Sequence, residues 1–93
     1  MNNNKPYAIT LEYCVPWDYS ARTVRATEDI LTHYQHVISE FNIVTGSKGA
    51  FEFQVNGEML FSKKASKRHA EPGEILRLFE EYIDPSIERY PRD

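Results

Sequence analysis

The chain has 93 residues, a formal net charge of −3 and a single cysteine. That length accommodates one small domain. One cysteine excludes an intramolecular disulfide and every zinc site that needs two, and a mildly acidic chain lacks the electrostatic footprint of a nucleic-acid binder.

Residues 1–5 are polar and expected to fray. They contain no apolar signal core, and no run in the chain approaches membrane-spanning length. A lone cysteine suits a reducing, cytoplasmic setting. One Trp, six Tyr and five Phe help so short a chain bury useful area.

Residues 7–13, rich in aromatic and branched side chains, read as the first strand. Cys14-Val15-Pro16-Trp17-Asp18 follows, and a helical pattern then runs from Tyr19 to about His36. Cys14 therefore stands at a strand-to-helix junction, a placement that in general activates a thiol. The redox form of this layout is C-x-x-C, and here the fourth position is Trp17. Ala21, Val24, Ile30, Leu31, Tyr34 and Val37 form the expected buried stripe of the helix, with Asp18 or Ser20 as its cap.

Val37 to Val44 reads as the second strand and residues 45–49 as a turn. Phe51, Phe53 and Val55 alternate with Glu52 and Gln54 in a half-buried third strand. Asn56-Gly57 predicts a tight hairpin, because a type I′ turn needs positive φ at both central residues. Glu58 to Lys63 returns as the fourth strand, with Met59 and Phe61 on one face and Leu60 on the other.

Residues 63–69 read as a basic, solvated loop. Pro72 is expected to open the last helix, whose buried stripe is Ile75, Leu76, Phe79, Tyr82 and Ile83. Asp84-Pro85 ends it, and the polar tail runs on over the surface.

The order β-α-β-β-β-α implies an α+β fold: a mixed four-stranded sheet with two helices, in one domain with an ordered core of about 6–85. The strand–helix–strand unit demands parallel pairing. The turn at 45–49 must then carry the chain past one intervening strand, about 9–10 Å. Five extended residues reach about 16 Å.

Four segments together resemble the selenoprotein W/T/H family, especially its bacterial and archaeal Rdx members. They are Ile9 to Trp17 (ITLEYCVPW), Thr45 to Phe53 (TGSKGAFEF), Asn56 to Lys64 (NGEMLFSKK) and Ala70 to Ile75 (AEPGEI). The resemblance implies a thioredoxin-like fold and a thiol redox role, with Cys14 as the first active-site cysteine. Trp17 then occupies the position of the second cysteine or selenocysteine. No resolving thiol exists in the chain, so two readings stand. In one, Cys14 alone forms mixed disulfides with glutathione, another small thiol or a redox protein, with no cofactor. In the other, the chain is a thioredoxin-like binding module that has lost the chemistry.

The remaining polar side chains divide in the same way. Trp17 either docks a partner or folds inward over Cys14. Lys63, Lys64, Lys67 and Arg68 either hold the carboxylates of a glutathione-like ligand or acidic partner, or belong to a solvated loop. His33 and His36 lack the acids or thiols of a metal site, His69 reads as a loop residue, and Asp18 as a cap rather than a catalytic acid. The 45–49 turn does not open a helix, so it is no phosphate loop.

Overall fold

A computed structural model describes residues 5–91. The elements are β1 (Tyr7–Cys14), α1 (Ser20–Tyr34), a 3₁₀ turn (Gln35–Val37), β2 (Ile38–Gly46), β3 (Phe51–Val55), β4 (Glu58–Ser62), α2 (Lys63–Ser66) and α3 (Glu74–Tyr82). The sheet order is β2-β1-β3-β4, with β1 and β2 parallel and the other pairs antiparallel. Residues 47–50 thus pass β1, as the crossover required. This is the thioredoxin-like plan with one added turn of helix, α2.

Ile9 and Leu11 of β1, Phe53 and Val55 of β3 and Phe79 of α3 are fully buried. They join Ala26, Ile30 and Tyr34 of α1 and Phe61, Ile75 and Ile83 in one cluster. The Tyr34 and Phe79 rings meet edge to face at 5.5 Å, so both long helices lie on the same side of the sheet. Truncating a ring such as Phe53 to alanine would cost about 3–5 kcal/mol.

The buried stripe of α1 is Thr23, Ala26, Ile30 and Tyr34, whereas Ala21, Val24 and Leu31, expected inside, are exposed. The small side chains of Thr23 and Ala26 let the helix approach the sheet. Thr23 enters the core because its hydroxyl donates to the Tyr19 carbonyl at 3.1 Å. Neither Asp18 nor Ser20 caps the helix. Tyr19 holds the cap position without a side-chain bond, and the Asp18 carboxylate instead accepts the Ser20 hydroxyl at 2.6 Å.

Asn56 and Gly57 have φ of 52° and 83°, as the hairpin required. Asn56 also accepts the Ala8 N–H at 2.9 Å through its side chain, tying the turn to β1. A bulge separates Met59 and Phe61. Phe53 pairs with Phe61 but Gln54 pairs with Met59, so Leu60 is the extra residue. Met59 and Phe61 therefore fall on opposite faces, not the same one: Phe61 is buried and Met59 exposed.

The expected open loop at 63–69 is partly helical. Ser62 caps α2, accepting the Ala65 N–H at 3.1 Å. Its hydroxyl also donates to Glu52. Glu52, expected on a solvated face, is buried. Its carboxylate also accepts the N–H of Phe51 at 3.2 Å and of Lys64 at 3.3 Å. α3 begins at Glu74 rather than at Pro72, because the 71–74 turn closes first through Glu74 N–H to Glu71 O at 2.9 Å. The tail returns to α1: the Tyr90 N–H donates to the His33 carbonyl at 2.7 Å, and Arg89 pairs with Glu80 at 2.8 Å. Among the described residues no helix is long and apolar enough to cross a membrane.

Candidate functional site

Cys14 ends β1, and its backbone is closed on both sides. Its N–H donates to Ala50 O at 2.9 Å and its carbonyl accepts the Tyr19 N–H at 3.1 Å. The next residues make a turn closed by Asp18 N–H to Val15 O at 2.9 Å, which Asp18 enters with φ of 54°. The thiol is 0% exposed. Yet Cys14 is absent from the main apolar cluster. By strand alternation it falls on the face opposite Ile9 and Leu11, beside Gly46 of β2.

Trp17 is 59% exposed. Its ring edge rests on Gly49, where a Cβ would stand only 2.5 Å from Cζ3. The 47–50 crossover therefore seats the indole. Tyr19 meets it edge to face at 6.2 Å, and the Lys63 ammonium lies 5.9 Å from the Trp17 ring and 5.8 Å from the Tyr19 ring. Such placement over ring faces is attractive through the aromatic quadrupole. His69 continues the row, its ring 5.0 Å from that of Tyr19. Burial first, then the charges of Arg22 and Lys63, hold His69 below the ordinary histidine value. It is thus a neutral ring near pH 7.

The structure brings one member of the basic cluster, Lys63, to the Trp17 corner. Arg68 turns away to α3, where its guanidinium binds Glu74 at 2.8 Å through both nitrogens. Lys64 and Lys67 are exposed. His36 stacks on Tyr34 and bonds the Glu88 carbonyl at 3.0 Å, far from this corner in role.

Three contributors were not singled out in the sequence: Tyr19, the Gly49 seat and the buried Glu52. The glycine at position 49 was the available signal for the seat. Nothing local marks the others, because each depends on which segment crosses it.

The corner presents an aromatic–cationic surface beside the closed 15–18 turn, while the thiol at the end of β1 is buried. Chemically it can bind apolar, aromatic or acidic groups. It offers no sulfur to solvent.

The profile of the Rdx family matches residues 8–81. Among solved structures, a protein from Bordetella parapertussis superposes with a TM-score of 0.75 at 18% identity, covering 83% of this chain and 98% of that one. A selenoprotein W-related protein from Vibrio cholerae superposes with a TM-score of 0.77 at 21% identity, covering 87% of this chain and 100% of that one. At these identities the likeness is one of fold. Among curated proteins no match is found. The family profile spans most of the chain and the sheet order is the one the motif resemblance implied, so the chain belongs to the Rdx family.

Proposed function

We propose that this chain is a thioredoxin-like binding member of the Rdx family that recognises a partner through the Trp17 corner and does not turn over thiols at Cys14. The supporting observation is the contrast within C-x-x-W: Cys14 is 0% exposed and Trp17 is 59% exposed. Disulfide exchange needs a sulfur that an incoming disulfide can reach in line. A half-open indole flanked by Tyr19 and Lys63 is instead the type of anchor that carries binding energy at interfaces. The Lys63 ammonium at this corner favours an acidic partner segment. The lone cysteine fits a reducing compartment, the cytoplasm.

The monothiol reading is second, and one observation favours it. Cys14 directly precedes the exposed Val15-Pro16-Trp17 turn, so local opening of that turn would bare the sulfur. The thiolate would attack oxidised glutathione, form the Cys14–glutathione disulfide and release one glutathione thiolate. A second, external thiol would then reduce the adduct, since the chain holds no other cysteine.

Intact-mass analysis separates the two. Native protein incubated with oxidised glutathione near neutral pH should gain no adduct, while protein unfolded in denaturant should label at Cys14. A Cys14→Ser variant controls for the site. An adduct on the native wild type, removed by an external thiol, would reject the binding reading in favour of the monothiol one.

A further inference from the structure

A cavity of about 340 Å³ lies between α1 and the 70–73 segment that leads into α3. That volume is within the range of small-molecule sites. Its floor is apolar: Phe51, Ala26 and Ile75 line it and are buried. Its rim carries Arg22 and Arg25 from α1 and two carboxylates, Asp29 and Glu71.

What distinguishes this rim is that two cations and two anions are gathered around one hollow. Arg68, Arg77 and Arg89 each have a carboxylate within 4 Å. Among the described residues, Arg22 and Arg25 do not, and neither Asp29 nor Glu71 appears in an ion pair. Arg25 and Asp29 are four residues apart on one helix, the spacing at which opposite charges ordinarily join. Instead both line the cavity. Two cations and two anions thus surround one apolar hollow, and among the described residues none of the four joins an ion pair.

We propose that this cavity binds a small zwitterion with an apolar body, of the class of free short peptides. The carboxylate sits between the guanidinium groups of Arg22 and Arg25, which form charge-assisted bonds in a planar fork. The ammonium sits toward Asp29 and Glu71. The apolar body covers Phe51 and Ile75. Both charged ends stay at the rim, where their desolvation is partial, and only the apolar part enters the floor. This assignment uses none of Cys14, Trp17, Tyr19 and Lys63, so it stands or falls apart from the function proposed above.

NMR titration of the full chain tests it with three probes: leucyl-leucine, N-acetyl-leucyl-leucine and leucyl-leucinamide. Leucyl-leucine should shift the amide signals of Ala26, Ala70 and Ile75 saturably, and each capped form should bind at least about fivefold more weakly. Arg22→Gln with Arg25→Gln should abolish discrimination against the amide. Asp29→Asn with Glu71→Gln should abolish discrimination against the acetylated form. Among the described residues these side chains make no ion pair or side-chain hydrogen bond, so all variants should keep a cooperative native melt. Ala21→Phe, at the exposed mouth, should block binding with the fold intact. Absence of saturable shifts below about 10 mM, equal binding of all three probes, dependence on one charged end alone, or shifts confined to the Trp17 corner would each overturn the assignment.

Discussion

The guanidinium of Arg68 grips the carboxylate of Glu74 through two parallel bonds of 2.8 Å, while Glu74 itself is only 7% exposed. The Glu71 N–H adds a third bond at 2.8 Å, and Arg77 stands 3.8 Å away. One buried carboxylate thereby ties the basic segment after β4 to the first turn of α3.

Acid should undo this tie. The Arg68 bond, opposed by burial and helped by the Glu71 N–H, lowers the Glu74 carboxyl from 4.5 to about 2. A carboxyl depressed in the folded state contributes stability above its unfolded value and loses it as pH falls through the folded one. Part of the loss of stability between pH 4.5 and 2 should therefore come from Glu74. Glu74→Gln should cost about 2 kcal/mol at neutral pH, or roughly 10 °C in melting temperature. It should also flatten the acid limb of the stability curve. Urea melts of both proteins across that range check this. An unchanged acid limb would show that the pair is solvated in effect.

Gly49 should be intolerant of a side chain for two reasons. Its φ is 76°, and a Cβ would meet the Trp17 ring at 2.5 Å. Gly49→Ala should cost about 1–2 kcal/mol and displace the indole. The chain has one tryptophan, so its emission reports the displacement directly. In a Trp17→Ala background the clash is gone and only the backbone cost, about 1 kcal/mol, remains. Equal losses in both backgrounds would show that the indole does not rest on this glycine.

Gly57 separates backbone strain from crowding. Its φ is 83°, yet nothing lies within 4 Å of the Cβ it lacks. Gly57→Val should therefore destabilise by about 1 kcal/mol or more through conformation alone. Gly57→Asn should lose less, because asparagine tolerates the left-handed region. Thermal melts of the two variants decide it. A valine variant as stable as the asparagine one would contradict the turn assignment.

The elements with local causes were legible in the chain. The Asn56-Gly57 turn needs two adjacent residues that accept positive φ, and those residues are neighbours in sequence. The parallel pairing of β1 and β2 follows from a strand, a helix and a strand of suitable length, and the motif segments carried the family. Within the candidate site, Cys14 at the end of β1 and Trp17 three residues on were also readable. Their exposures were not. Burial of the thiol and opening of the indole depend on residues 47–50, which cross over from β2 and seat the ring on Gly49.

The same limit governed the misplaced faces. Periodicity identified α1 as a helix but aimed Val24 and Leu31 inward. The sheet instead accepted Thr23 and Ala26, because they are small and the threonine hydroxyl finds a carbonyl. Alternation made Glu52 a solvated residue, but Ser62 at the end of β4 and Lys64 of α2 supply it with bonds. Sequence by itself determined the four strands, the two long helices, their order and the family, since those rest on dihedral preferences and spacing along the chain, but not α2. Tertiary structure alone decided which side chains meet, because Arg68 reaches Glu74 and Trp17 reaches Gly49 only after distant segments pack.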